Sequence, residues 1–471
     1  MTGMTVAPIV TRSRTVRLRD AVARRPVVLL IALGLGCAVL AWLRIPAIAR
    51  DTFWAEDGRT FISSAALGGP AVLLQPYAGY LHTVPRLVAA AVVLLPVSWW
   101  ALATTAAACA IAGGLAVVVF VCARDLVPWL PARLFVAGLT VLAPFVPREV
   151  LGDLADLHSL VLWALFWIAL SRPRTLRAGV VLAVVAFLGA LTEIQALFLA
   201  PLLLLRGPGL PSWRDRRVLL VRASLIAGLA VQLVVTLGWP RAENTNPAVD
   251  PLSMAYGYLI NAVMPLAVPQ AQLGHVLAAT GPAVGLGVLA VVVATALYVV
   301  VRGSRAQRLL VIAALAGSVL LYTVSVAANP NTFYDYARLT PAQLQTAWLT
   351  RYGVVPSMLL ALVPAVAATV ALARRREAAV RRALGGPAPR PWRVWSVLAA
   401  AGLSAALILA QAGPQFTRRS DGPAWQPQLA SAAAQCRRDD ELRFVNLKET
   451  IGWSVSVPCR SLDGGTTEDS R

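Results

Sequence analysis

The stretch RRPVVLLIALGLGCAVLAWLRIPAIARDTFWAEDG, residues 24–58, determines the predicted membrane topology of the chain. Arginines crowd residues 1–26, and the apolar run 27–48 that follows is long enough to cross a bilayer as a helix. Because positive residues stay on the cytoplasmic side, this run is predicted to cross outward and to place the loop 49–83 outside the cell. The small residues of PAIAR at 46–50 resemble a signal-peptide cleavage site, but the long basic prelude favours an uncleaved anchor.

The composition indicates a polytopic helical membrane protein. Of the 471 residues, 58% are hydrophobic, and apolar runs recur as far as residue 411. In lipid every backbone amide must be paired within the chain, and without the alternation of a barrel only helices achieve this. We therefore expect an all-α membrane domain over 27–411, a basic cytoplasmic N-terminal tail over 1–26 and a small C-terminal tail over 412–471.

The net charge of +20 comes almost entirely from arginine, since Lys448 is the only lysine. A basic chain could bind nucleic acid, but these arginines cluster in the connectors between apolar runs. The four connectors are 172–177, 206–222, 302–308 and 374–393. This pattern is typical of cytoplasmic loops, so membrane lipids and not nucleic acid are the expected partners.

The connectors also constrain which apolar runs cross the membrane. Four runs separate the outer loop 49–83 from the connector 172–177, and only an odd number of crossings joins opposite sides. The short run 132–147 is therefore predicted to be re-entrant or interfacial, and the proline-broken segment 252–268 is predicted not to span. The result is about eleven transmembrane helices in the plasma membrane, with the N-terminus cytoplasmic and the C-terminal tail extracytoplasmic.

The five cysteines fall into two groups. Cys37, Cys109 and Cys122 lie within apolar runs and are expected to pack there. Cys436 and Cys459 lie in the C-terminal tail, where an oxidising outer compartment would allow them to form a disulfide. Closing a loop of that length would stabilise the tail by roughly 3 kcal/mol in the chain-entropy model.

Several common soluble chemistries have no support in the sequence. A P-loop needs a lysine, and the only lysine lies in the tail. Three scattered histidines provide no paired zinc motif, and no Gly-x-Ser-x-Gly elbow of a hydrolase is present.

The adjacent carboxylates Glu56 and Asp57 are the leading candidates for acid–base chemistry. Neighbouring residues on a helix point about 100° apart, so one of the two is expected to face a cleft, and we favour Asp57. Desolvation beside Phe53, Trp54 and Phe61 would raise the carboxyl pKa toward that of a base for a hydroxyl proton. The alternative is structural, because acidic residues in a first turn stabilise a helix through its dipole.

Two arginines lie at predicted outer membrane boundaries, where positive charge is unusual. Arg86 follows Tyr80 and His82, which fit interfacial anchors, and it should need an anionic partner such as a lipid phosphate or a carboxylate. Arg351 precedes Tyr352 at the entrance of a later apolar run, and its planar donor fork matches phosphate.

A second acidic cluster follows the run 132–147. The spacing of Glu149, Asp153 and Asp156 predicts one helical face, with His158 beside it. Such a face could bind a divalent cation through oxygen ligands, hydrogen-bond sugar hydroxyls, or simply be solvated. Glu193 lies between two short apolar runs, where it is either functional or the partner of an outer-side arginine.

Four stretches together resemble the GT-C superfamily of polytopic membrane glycosyltransferases, which use polyprenyl-phosphate sugars. They are FWAEDGRTF at 53–61, PYAGYLHTVPRL at 76–87, PREVLGDLADLH at 147–158 and RYGVVP at 351–356. The resemblance covers residues 27 to about 373 and implies a GT-C-like fold. It also implies that Asp57 or Glu56 acts as general base on an acceptor hydroxyl, with inversion at the sugar. The resemblance assigns stabilisation of the leaving phosphate to Arg351, with Arg86 as the alternative.

The resulting prediction is a plasma-membrane glycosyltransferase that moves a sugar from a polyprenyl-phosphate donor to an envelope glycan or glycolipid on the outer face, without a required cofactor. A transporter or flippase of lipid-linked sugars, and a catalytically silent assembly partner, are the alternatives. Transport would favour polar residues along mid-membrane helices, whereas these gather at the outer boundary. The predicted catalytic residues are Asp57 and Glu56, and the predicted substrate-binding residues are Arg351, Tyr352, Arg86, His82, Tyr80, Glu193, Glu149, Asp153 and His158.

Overall fold

The computed structural model describes residues 26–384 and 392–462, and these are mostly helical. The predicted basic tail 1–26 therefore lies almost wholly outside the described residues. The α-helices are α1 Pro26–Arg44, α2 Ser63–Gly68, α3 Thr83–Val92, α4 Trp100–Cys122, α5 Leu130–Leu142, α6 Val146–Glu149, α7 Leu157–Ala169, α8 Leu176–Ala190, α9 Arg216–Gly238, α10 Pro251–Tyr258, α11 Gln270–Thr280, α12 Ala283–Arg302, α13 Arg305–Ala328, α14 Pro341–Gln345, α15 Val354–Ala383, α16 Trp392–Leu409, α17 Gln426–Arg438 and α18 Cys459–Leu462. Asp57–Ile62 and Leu259–Val263 are π-helical, Ile194–Leu204 is a long 3-10 helix, and two strands, β1 Phe444–Lys448 and β2 Ser454–Pro458, lie in the tail.

Seven helices of the described chain are long and apolar enough to cross a membrane, which makes this a multi-pass membrane protein. They are Val27–Arg44, Val97–Asp125, Leu130–Glu149, Arg216–Gly238, Ala283–Arg302, Arg305–Ala328 and Arg351–Ala383. The segment 252–268 is not among them, because the chain there changes from α10 to a π-helical turn and then to a 3-10 turn before Pro269. This agrees with the prediction that it does not span.

The arginine-rich connectors meet at one end of the helix bundle, called here the connector end. Arg124 Nη2 donates to the Arg172 carbonyl oxygen over 3.0 Å, and Arg374 Nη2 donates to the Arg302 carbonyl oxygen over 2.7 Å. The opposite end carries Glu56, Arg351 and the C-terminal tail, and it is called the site end. Charged loops at both ends of apolar helices are the arrangement that a bilayer imposes.

Two apolar runs have helical lengths that differ from what the crossing assignments made from the sequence expect. The run 132–147, predicted to be re-entrant or interfacial, lies in the apolar segment Leu130–Glu149, which is long enough to cross although α5 ends at Leu142 and α6 begins at Val146. The run 84–98, predicted to cross, contains the ten-residue helix α3, whose length of about 15 Å is shorter than the hydrocarbon core of a bilayer. Both of its ends lie at the site end, where Thr83 bonds the Leu191 carbonyl and the carbonyl of Val97 accepts from Trp425.

The centre of the bundle is formed by α7 and the first part of α15. Trp163 and Trp167 of α7 are fully buried, so this thirteen-residue helix is surrounded by protein and not by lipid. Helices at the periphery approach closely through small residues, as membrane helices commonly do. A Cβ on Gly113 of α4 would clash with the carbonyl oxygen of Gly34 on α1.

The C-terminal tail folds against the opening loop and forms a second, smaller core with it. Trp425 packs edge-on against Phe53 with ring centroids 4.9 Å apart, and its backbone N–H donates to the Asp51 carbonyl oxygen over 2.8 Å. The strands β1 and β2 pair antiparallel, and Cys436 and Cys459 are joined by a disulfide. The membrane domain is all-α, but the tail contains a hairpin that the sequence did not predict.

Candidate active site

Arg351 lies at the centre of an ion-pair network at the site end. Its Nη1 is 3.1 Å from Glu149 Oε2, and its Nε is 2.8 Å from Asp156 Oδ1. Both carboxylates are almost completely buried, whereas 31% of the Arg351 side chain remains exposed. The guanidinium therefore has a fixed position and an open side from which an anion could approach.

His158 and Glu193 extend the network. His158 Nε2 is 3.5 Å from Asp156 Oδ1, and His158 Nδ1 contacts Glu193 Oε2. Glu193 Oε1 also accepts a hydrogen bond from the backbone N–H of Gln195 over 2.6 Å and so caps the 3-10 helix Ile194–Leu204. Burial alone would raise the pKa of Asp156, but attraction to Arg351 and His158 outweighs it and lowers that pKa. Asp156 is therefore a fixed anion.

Glu56 is the half-buried carboxylate that faces this network. Tyr77 donates its hydroxyl to Glu56 Oε1 over 3.4 Å. Burial raises the pKa of Glu56, and the strongest opposing influence on that pKa is the positive charge of Arg351. A carboxylate with a raised pKa beside a partly exposed guanidinium has the properties of a general base.

The backbone around Glu56 and Tyr77 is strained. Ala55 has φ +46° and Ala78 has φ +50°, and no other non-glycine residue in the described segments has a positive φ. Ala78 and Gly79, with φ +86°, form the tight turn that pairs Tyr77 with Tyr80. A left-handed alanine costs about 1 kcal/mol, so both site residues are held by conformations that the surrounding packing must maintain.

Asp57, which the sequence favoured as the residue facing the cleft, points into the protein instead. It is 1% exposed, and its carboxylate accepts hydrogen bonds from the backbone N–H groups of Leu154 and Ala155 over 2.9 to 3.0 Å. Burial raises the pKa of Asp57 despite these bonds. The side chain thus fixes the loop 150–156, which carries Asp153 and leads to Asp156 of the network.

The acids at 149–156 do not share one helical face as predicted. The helix α6 ends at Glu149, and Gly152, with φ +76°, turns the chain before α7. Glu149 and Asp156 consequently face Arg351, whereas Asp153 is fully buried beside Asp57. In the described ranges no three His, Cys, Asp or Glu side chains converge closely enough to hold a metal ion.

The remaining predicted residues line the edge of the site. The Tyr80 and His82 rings are in contact, tilted by 30° with centroids 4.1 Å apart. Burial lowers the pKa of His82 to about 3, so the His82 ring is neutral. Arg86 lies behind them over the Phe61 ring, with Nη1 3.4 Å from Ser64 Oγ. Arg86 has no carboxylate partner among the residues described, and it does not join the Arg351 network.

Two arginines of the tail were missed by the sequence reasoning. Arg418 Nη1 pairs with Glu149 Oε1, and its guanidinium lies over the Trp348 ring. Arg419 is fully buried, contacts the Gly152 carbonyl oxygen and donates to Thr105 Oγ1 over 2.6 Å. The only signal was their adjacency in FTRRS just after the last apolar run, which by itself is typical of a solvated tail.

Comparison of the chain with protein-family models, with curated proteins and with solved structures gave no match. The GT-C resemblance therefore stays a prediction that rests on the short motifs and on the geometry described above.

Proposed function

We propose that this protein is a GT-C-like membrane glycosyltransferase that uses a polyprenyl-phosphate sugar and works on the outer face of the plasma membrane. The observation that supports this most directly is that Glu56, a half-buried carboxylate with a raised pKa, lies within the electrostatic influence of the partly exposed Arg351. A proton acceptor beside a phosphate-binding cation matches the needs of glycosyl transfer from a lipid phosphate.

In the proposed reaction Glu56 accepts the proton of an acceptor hydroxyl, and that oxygen bonds to the anomeric carbon from the face opposite the phosphate. The bond between the anomeric carbon and the phosphate oxygen breaks, and its electron pair leaves with the polyprenyl phosphate. Arg351 stabilises the charge that develops on this leaving group. The sugar is transferred with inversion, and the proton on Glu56 is released to water.

Asp57 is assigned a positioning role in this proposal, because its bonds to Leu154 and Ala155 hold the loop that leads to Asp156. Tyr77 orients the Glu56 carboxylate through their hydrogen bond. The strained Ala55 and Ala78 flank these two residues and agree with a site whose geometry is set by the fold.

An apolar cavity of about 290 Å³ between α12, α15 and α16 supports a lipid-linked donor. It is lined by residues that include Leu360, Leu403 and Leu407. Leu360 lies nine residues after Arg351, which places it about 13 Å farther along the helix direction, toward the bilayer interior. A prenyl chain could enter this cavity while its phosphate stays near Arg351.

The proposed topology has eleven crossings, with the site end outside. Besides the seven long helices, this topology assigns crossings to four shorter apolar helices, namely Leu157–Ala169, Leu176–Ala190, Ile194–Leu204 and Val394–Leu409. The arginine connectors would then be cytoplasmic and the disulfide-bonded tail extracytoplasmic. Cysteine accessibility labelling of intact cells at position 338, on an exposed loop of the site end, and at 376, at the connector end, tests this orientation.

The transfer assay uses purified protein with a panel of polyprenyl-phosphate sugars and extracted envelope glycans. We expect transfer by the wild type, transfer about 10²- to 10⁴-fold slower by Glu56→Gln, and a strong reduction by Arg351→Ala. Glu377→Gln and Arg374→Ala are matched controls at the connector end, where the two side chains form an exposed pair. Undiminished transfer by Glu56→Gln and Arg351→Ala would reject the site assignment.

A transporter of lipid-linked sugars would behave differently in the same preparation. In proteoliposomes it would move the intact donor between leaflets, and no free polyprenyl phosphate would accumulate. Flipping without transfer for any donor in the panel would replace the enzyme proposal with the transport alternative, and neither activity would favour the silent assembly partner.

A further inference from the structure

Arg222 is a buried cation that has no hydrogen-bond partner among the described residues. It lies in the first turns of α9 near the connector end, and only 2% of its surface is exposed. None of its three guanidinium nitrogens has a hydrogen-bond partner in the described chain. An arginine stays charged under all ordinary conditions, so this side chain cannot relieve its burial by losing a proton.

Other arginines of the connector end have carboxylate partners. Arg217 Nη2 is 2.8 Å from Asp215, and Arg174 Nη2 is 3.1 Å from Asp125. These pairs are partly exposed and need little further stabilisation. Arg222 is more deeply buried than either arginine, yet no ion pair joins it to an acid of the described ranges. The contrast indicates that the counter-ion of Arg222 does not come from the described residues.

The surroundings of Arg222 suit an anion. Its guanidinium lies 4.6 Å from the ring centroid of Trp213, whose Nε1 donates to the Leu203 carbonyl oxygen over 3.0 Å. Arg206, exposed in the same connector, is close enough to repel Arg222. A site with two mutually repelling cations and a positioned aromatic ring becomes favourable when an anion neutralises it.

We propose that Arg222, Arg206 and Trp213 form a binding site for a phosphate group, supplied by an anionic phospholipid headgroup at the connector end. Arg222 is six residues beyond the start of α9, which places it about 9 Å along the helix from the connector end. Ile226, one turn farther along the same helix, is 44% exposed and would contact the acyl chains. This site lies at the opposite end from Glu56 and does not depend on the proposed transferase activity.

The test measures binding of two probes to the full-length protein in neutral detergent. Native mass spectrometry counts bound phosphatidylglycerol against phosphatidylcholine, and a separate arm titrates inorganic phosphate. We expect Arg222→Gln to bind phosphatidylglycerol about tenfold more weakly, the loss of one charge-assisted interaction. Arg214→Gln is the matched control, because Arg214 is exposed in the same connector. Its binding should equal that of the wild type.

Thermal unfolding is the second measurement, and it distinguishes anion binding by Arg222 from a purely structural role of this side chain. Without anions, Arg222→Gln and Arg222→Met should be at least as stable as the wild type, because an unpaired buried charge has been removed. Added phosphatidylglycerol should raise the unfolding temperature of the wild type and not that of either variant. Stabilisation by inorganic phosphate alone, lost in both variants, would support the phosphate site with a soluble ligand as its source. Equal binding and equal stabilisation of wild type and variants by both probes would overturn the proposal.

Discussion

Arg418 Nη1 lies 2.7 Å from Glu149 Oε1, so the C-terminal tail supplies a cation to the network of the helical domain. The other oxygen of Glu149 pairs with Arg351. A nearly buried carboxylate is thus shared between the tail and the first turn of a long membrane helix. The tail is therefore part of the candidate site, and its removal should weaken the ion pairing that positions Arg351.

The first prediction concerns this shared carboxylate. Arg418→Gln leaves Glu149 with one arginine fewer and should destabilise the protein by about 2 kcal/mol. The matched control is Arg338→Gln, since Arg338 is 76% exposed in its pair with Asp335 and should contribute at most about 0.5 kcal/mol. Unfolding of the single variants and of Arg418→Gln combined with Glu149→Gln gives the coupling between the two side chains. A coupling indistinguishable from zero would contradict the shared network.

The second prediction separates the adjacent carboxylates. Glu56→Gln removes the proposed base and should reduce transfer about 10²- to 10⁴-fold while the unfolding temperature stays close to that of the wild type. Asp57→Asn keeps the base but weakens the acceptor of the Leu154 and Ala155 amides, so it should lower stability by about 1–3 kcal/mol. Transfer rate and unfolding temperature are measured on the same preparations. Loss of transfer in Asp57→Asn, with transfer retained in Glu56→Gln, would instead identify Asp57 as the base.

The sequence predicted much of the architecture because its signals are strong and local. Long apolar runs and arginine connectors indicate a multi-pass helical protein, and the prolines around 252–268 correctly indicated a broken segment. The short helix within the run 84–98 was not predictable, because hydropathy counts apolar residues whether or not they form a continuous helix. Its helical part ends at Val92, too soon to cross.

The site was less predictable, because it depends on contacts between distant parts of the chain. Asp57 is buried by the loop at 150–156, about a hundred positions away, and nothing in the AED triplet indicates this. Arg418 meets Glu149 across 269 positions of sequence, and spacing rules do not extend that far. Arg351 was identifiable because a cation at the expected outer boundary of a span is unusual on its own.

The third prediction is the acid limb of the pH–rate profile. Glu56 must be ionised to accept a proton, and burial raises its pKa above the ordinary value of 4.5, so transfer should fall on acidification at a pH above 4.5. Arg351 opposes this rise, and its removal should move the limb of the residual activity to still higher pH. Profiles of kcat/KM for wild type and Arg351→Gln test both statements. A limb that does not move in the variant would show that the two groups are not electrostatically linked.

The fourth prediction concerns Glu449, which is 2% exposed where the tail meets the opening loop. Its Oε1 accepts the Gly58 N–H over 3.1 Å, and burial, followed by repulsion from Asp57, raises its pKa to about 9. Because the folded pKa lies above the unfolded value near 4.5, the stabilising effect of Glu449 is complete below pH 4.5 and is lost as the pH rises through about 9.

The variant Glu449→Gln tests this, because it keeps the hydrogen-bond acceptor but cannot ionise. Between pH 5 and pH 9 the unfolding temperature of the wild type should therefore fall relative to that of Glu449→Gln. The control is Glu441→Gln, which alters an exposed acid of the tail and should behave like the wild type. Parallel curves for wild type and Glu449→Gln would mean that Glu449 is not held in its neutral form at this interface.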